Sequence, residues 1–202
     1  MENTGQQGGF NQQPAPAAPA AVDFGTLFGK GTSLWTSNLG NLVVFTLVFV
    51  LVAWIPIANI GFIAGYIRGL LKTARGEKAE IGDLFNAWDC FGSAFLYVII
   101  LLLVGLVNLI PILGSLAYLV FVFFAYPGLF KVIDKNAGAV DALKWSFGAF
   151  KAAVGNWILC ILVGGIMASL GGIVFGIGMI VTLPWGYLII ASQYETQKDA
   201  AF

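Results

Sequence analysis

The chain has 202 residues, of which 59% are hydrophobic, and its mean hydropathy is +0.89. Only 10% of residues are charged, against about 25% in ordinary soluble domains, and ten basic residues balance ten acidic ones. These figures exclude an ordinary soluble domain, which could not hide so much apolar surface, and they exert no general pull toward nucleic acid.

In chain order, the first segment is "MENTGQQGGFNQQPAPAAPAA". It lacks the basic and apolar regions of a signal peptide, and its Gln, Ala and Pro content cannot support a core. Residues 1–21 are therefore expected to be a disordered tail. Residues 22–194 are expected to form a single helical membrane domain, and residues 195–202 a short tail.

Three uncharged windows follow: Gly31–Ile67, Cys90–Phe130 and Ala152–Tyr194, of 37, 41 and 43 residues. One membrane span needs about 20 residues, so each window is about two spans long. The expected architecture is all-α: six transmembrane helices arranged as three hairpins, at about 31–72, 90–131 and 152–194. The breaker residues Pro56 and Asn59 mark the first turn, and Asn108 and Pro111 the second. The third window has "SLGG" at its midpoint, which puts its turn at Gly171 and Gly172. Pro184 comes too late to be that turn and reads as a kink.

Every charged residue lies outside the windows. Lys30, then Arg68, Lys72, Arg75 and Lys78, then Lys131, Lys135, Lys144 and Lys151, and finally Lys198 all fall on one side if each window is a hairpin. The tendency of Lys and Arg to remain in the cytoplasm then places both termini there. Arg68, Lys72 and Arg75 share one helix face beside the membrane and suit anionic lipid headgroups, at about 1 kcal/mol each. The same placement is also what topology alone requires.

The connections share a pattern. Ile81, Leu84, Trp88, Phe91 and Phe95 recur at helical spacing, and Val140, Leu143, Phe147, Phe150 and Val154 repeat it 59 positions later. A weaker copy is Phe24, Leu27, Leu34 and Trp35. Each repeat unit is thus expected to be an amphipathic interfacial helix followed by an apolar hairpin, with Trp35, Trp88 and Trp145 at headgroup level. The alternative is that these helices are only the first turns of the spans. In the third window Gly164, Ala168, Gly172 and Gly176 are spaced by four. This ladder suits close helix packing, either in an oligomer seam or between the chain's own spans.

Little in the chain points to chemistry. There is no His, no phosphate-loop motif and no GxSxG context, and Cys90 and Cys160 lack metal-site spacing. Glu77, Glu80, Asp83 and Asp89 fit a solvated helix face near Lys78. No catalytic, cofactor or metal residues are assigned, and no cofactor is expected.

Arg75-Gly76-Glu77 followed by Asp83-Leu84-Phe85, Pro111, Tyr126-Pro127, and Ala142-Leu143 followed by Ser146 together carry a resemblance. Over about residues 23–192 the chain resembles uncharacterised bacterial polytopic proteins related to the membrane domain of glycerophosphoryl diester phosphodiesterases. That resemblance implies a six-span protein of the bacterial inner membrane. The chain has no catalytic phosphodiesterase domain, so no hydrolase activity is implied. The expected function is that of a non-enzymatic scaffold, accessory or membrane-organising protein, partnered by the bilayer and by a second copy or another membrane protein. The alternative is a channel or carrier for a neutral or lipidic solute. A further variant has wedge-like hairpins that do not fully cross the bilayer.

Overall fold

The computed structural model describes residues 22–173 and 177–202; the expected N-terminal tail and Gly176 lie outside the described residues. Among the described residues there are eight α-helices: α1 (Phe24–Ser37), α2 (Leu39–Val52), α3 (Ala58–Ala74), α4 (Phe91–Gly105), α5 (Leu113–Lys135), α6 (Ala139–Ala152), α7 (Val154–Leu170) and α8 (Met179–Gln197). Short 3-10 turns lie at Ile81–Phe85, Trp88–Cys90, Leu106–Leu109 and Gly171–Ile173. No strand occurs among the described residues.

Two helical stretches, Ile81–Leu109 and Leu113–Lys135, are long and apolar enough to cross a membrane. Two further pairs qualify only when joined, and both are sharply bent: α1 and α2 by 85°, α6 and α7 by 104°. The described residues thus hold two candidate spans, or up to four if each bent pair counts as one. This suits a helical membrane protein and does not by itself give six spans.

The bends have local causes. Asp23 caps α1 by accepting the Thr26 amide at 3.1 Å. At the far end the Asn38 side chain donates to the Leu34 carbonyl at 2.9 Å, satisfying a helix-end acceptor where the chain turns. Ala153, between α6 and α7, has φ −147° and ψ 52°, outside the helical region. The segment from Ile81 departs from the expected amphipathic helix. It forms two 3-10 turns instead; at the first of them the Asp83 amide donates to the Glu80 carbonyl and the Glu80 amide to Asp83 Oδ2, each at 2.9 Å.

Helices α3 and α8 carry the longest buried faces. In the core, Tyr66 stacks on Phe45 and Phe49 with ring centroids 5.4 and 4.3 Å away, and its hydroxyl lies 3.0 Å from that of Thr46. Close approach there requires glycine: a Cβ on Gly65 would lie 2.5 Å from the Asp83 carbonyl oxygen. Loop 81–90 thus lies directly on the backbone of α3. Pro127 and Pro184 sit inside α5 and α8 respectively.

Candidate functional site

The chemistry-bearing residues gather in a layer at the base of the hairpins. Arg68 makes a two-pronged contact with Asp89, at 2.8 and 3.1 Å, and also donates to the backbone oxygens of Asn86 and Ile133. Lys72 pairs with the buried carboxylate of Asp83. Arg75 donates to Asp134 at 2.7 Å and through Nε to Glu195 at 2.9 Å. Tyr194 donates its hydroxyl to the second oxygen of Asp134 at 3.0 Å, and Lys198 reaches Glu195 at 2.7 Å. Burial works against the Arg75 charge, but its hydrogen bonds to Glu195 and Asp134 outweigh burial and hold the guanidinium above its ordinary pKa.

All three basic residues that suit lipid headgroups are therefore paired within the protein. Nor do the carboxylates form a solvated helix face as expected: Asp83 is buried and Asp89 is bound to Arg68. Asp134 and Glu195, which the sequence reading did not single out, complete the layer. The signal available for them was their position just past the second and third apolar windows.

The C-terminal residues pack down rather than trail away. Trp145 donates to the Ala200 carbonyl at 3.0 Å, Lys131 sits 4.7 Å above the Trp145 ring, and Phe202 lies 5.9 Å from it. Trp145 is consequently buried rather than facing headgroups. The Lys135 ammonium donates to Asp199 at 3.0 Å and holds that carboxyl below its usual pKa of 3.8. This tether is therefore present above the ordinary carboxylate range and is lost as pH falls through the lowered value. Deleting residues 198–202 should uncover Trp145 and red-shift its fluorescence, measured against a Trp145→Phe control; an unchanged spectrum would show that the segment does not cover it.

The expected turn residues are at or beside the reversals. Pro56 and Pro111 lie in the turns, Asn59 lies in the first turn of α3, and Asn108 donates to the Gly105 carbonyl at 2.8 Å within the 3-10 turn before Pro111. The two proline turns share one backbone design. Ile57 and Ile112 both have φ 65°, and the following amides donate back to Pro56 and Pro111, each at 2.7 Å. These are γ-turns of the strained, positive-φ kind, centred on a β-branched residue that ordinarily avoids this region. The side chains at these tips are exposed: Trp54 and Leu109 at 83%, Ile57 at 66% and Ile112 at 82%. Gly171 opens the third reversal and packs against Gly178, whereas Gly172 faces open space.

The glycine ladder divides. Gly164 and Ala168 on α7 pack against Gly186 on α8, and a Cβ on Gly186 would lie 2.0 Å from the Gly164 oxygen. These two ladder positions thus serve packing between the chain's own helices. Gly172 takes no part, and Gly176 lies outside the described residues. Gly186 belongs to the seam but not to the four-residue spacing, so the ladder did not reveal it.

An apolar cavity of about 280 Å³ opens between α5 and the bend joining α6 to α7, lined by residues such as Leu119, Phe123, Phe150 and Ile158. Cys90 and Cys160 are buried free thiols. Among the described residues, no group of three or more His, Cys, Asp or Glu is placed to hold a metal ion. No family model, curated protein or solved structure matches the chain.

Proposed function

We propose that this chain is a non-enzymatic membrane-organising protein whose three helical hairpins enter the bilayer from the charged face. The observation that carries this reading is its asymmetry. The ion pairs lie at the base of the hairpins, while the tips present large apolar side chains without charge. The bends of 85° and 104° suit α1 and α6 lying along the surface while α2 and α7 enter the bilayer. The mass is thus greatest at one leaflet, as expected of a scaffold that bends or sorts membrane. Helices α4, α5, α7 and α8 supply the crossing arms. By the positive-inside rule the charged face is cytoplasmic, with both termini there, and the setting implied by the family resemblance is a bacterial inner membrane. In this reading a surface helix precedes the first and third hairpins, and 3-10 turns precede the second.

Reconstitution tests it. The protein should resist alkaline extraction from vesicles and partition into vesicles about 30 nm across in preference to those near 200 nm, a size range over which lipid-packing defects differ. Extraction by alkali, or equal partition between the two sizes, would overturn the reading. The second reading, a carrier of lipidic solutes, is favoured by the apolar cavity beside Phe123 and Phe150. It requires accelerated exchange of labelled lipid between leaflets in the same vesicles, together with a loss of that exchange in Ile158→Trp, which fills the cavity.

A further inference from the structure

The first and second hairpins differ in height above a shared ion pair. Arg68 of α3 and Asp89, just before α4, are joined side chain to side chain and are the charges closest to the tips along α3 and α4, so they mark the charged boundary on each helix. The Arg75–Asp134 pair further down joins the same two hairpins and gives the same order with a smaller difference, 18 positions from Arg75 to Ile57 against 22 from Asp134 to Ile112. From Arg68 to the tip residue Ile57 is 11 positions, about 16 Å of helix. From Asp89 to the tip residue Leu109 is 20 positions, about 30 Å. Ile60, one turn below the first tip, packs against a buried cluster drawn from α4, α5 and α6 that includes Ala94, Tyr97 and Ala125. Helix α4 and its 3-10 extension then continue from Tyr97 to Leu109, about 18 Å further.

The hydrocarbon core is about 30 Å thick. With the ion pair at headgroup level, the second tip reaches the far interface and the first stops near the midplane. We propose that the first hairpin, α2 and α3, is re-entrant: its Trp54–Ile57 tip contacts lipid acyl chains in the middle of the bilayer. This inference rests on the membrane reading above and completes its geometry: α2 and α3, which are not among the crossing arms, cross only one leaflet.

The tip suits that environment. A water-facing turn with positive φ is ordinarily made by Gly or Asn, whose conformational cost is small. Here Ile57 takes φ 65° with its side chain 66% exposed, as Ile112 does at the second tip with 82%; both tips suit an apolar surrounding, and it is the register that sets them at different depths. Hydrocarbon solvates such a side chain but cannot satisfy loose backbone donors. The turn meets this need in part, leaving the amides of Trp54 and Ile57 without a backbone acceptor among the described residues. Proline contributes no N–H, and the amides of Ile55, Ala58, Asn59 and Ile60 all donate within the tip, to Val52, Pro56, Ile55 and Ile57 respectively.

Depth can be measured directly. In a background with Cys90→Ala and Cys160→Ala, nitroxides would be attached at Trp54→Cys, Ile55→Cys, Leu109→Cys and Ile110→Cys. All four positions are at least half exposed, so the label displaces little packing. The expected result is a ratio of oxygen to nickel-chelate accessibility several-fold higher at 54 and 55 than at 109 and 110. Equal ratios at the two tips, both typical of the far interface, would overturn the proposal. Water-like ratios at 54 and 55 would do so as well. Alkaline extraction of the same samples separates failure of the depth assignment from failure to enter the membrane at all. A variant that keeps both native cysteines guards against misfolding of the background. The difference in fluorescence between wild type and Trp54→Phe should be quenched more by lipids brominated near the chain end than by lipids brominated near the headgroup. The reverse order would also overturn the proposal.

Discussion

Replacing Gly186 by Leu should lower the thermal midpoint of the detergent-solubilised protein by about 6–12 °C, corresponding to about 3 kcal/mol in a chain of this size. The reason is backbone contact. A Cβ at position 186 would lie 2.0 Å from the Gly164 oxygen and 2.7 Å from the Ala168 Cβ, so the two helices must separate rather than repack a side chain. Separation costs the close dispersion contacts that hold helices together where lipid tails are as apolar as the side chains. Gly172→Ala is the matched control: nothing lies within 4 Å of a Cβ there, and its midpoint should stay within about 1 °C of wild type. An equal loss in both variants would show that the α7–α8 seam is not the determinant. A change of oligomeric state in Gly172→Ala would return the glycine ladder to an intermolecular role.

The second large effect is expected at Arg75. Substituting Leu removes the cation between Asp134 and Glu195, whose side chains are only 7% and 10% exposed. Removing one partner of a buried pair costs about 3–5 kcal/mol, because a desolvated charge is left uncompensated. Arg75 itself keeps 30% exposure, so a loss of about 2–3 kcal/mol is expected. The triple variant Arg75→Leu, Asp134→Asn, Glu195→Gln should recover most of it. Arg75→Lys should recover only part, since one ammonium cannot reproduce the fork that reaches both carboxylates. Flotation with vesicles of neutral or anionic lipid distinguishes the roles of this residue. A cation used inside the protein leaves the anionic preference nearly unchanged on mutation, whereas a headgroup ligand reduces it. Failure of the triple variant to regain stability would mean that the cluster is not the unit described.

The reversals were legible in the sequence because proline acts locally. Pro56 and Pro111 interrupt a helix whatever surrounds them, and both lie between helices in the structure. The helices Phe24–Ser37 and Ala139–Ala152 were legible for a similar reason: a period near 3.6, weaker in the first of them, is a property of the segment itself. The stretch from Ile81 had the same period and did not form that helix. Gly65 admits its backbone onto α3, a contact across the fold that spacing within the segment does not carry. The ion pairs were illegible for the same reason. Arg75 is 59 positions from Asp134 and 120 from Glu195, and only the fold brings them together. The half-depth first hairpin was partly visible, since Arg68 follows Pro56 by only 12 residues. Deciding whether that arginine reaches downward or is held in place required its partner, Asp89.

The uncharged γ-turn tips also bear on how the chain enters a membrane. Moving a charged side chain through the hydrocarbon centre costs about 2.5–3.5 kcal/mol on translocation scales, and a hairpin with a conventional polar loop must carry several such groups across. The Trp54–Ile57 and Leu109–Leu113 tips carry none, and their backbone donors are largely satisfied before entry. Each of these two hairpins can therefore insert tip-first as a closed unit, without delivering a hydrated loop to the opposite side. Biogenesis of this protein would then depend less on the machinery that translocates polar loops than on the hairpins having formed at the surface first.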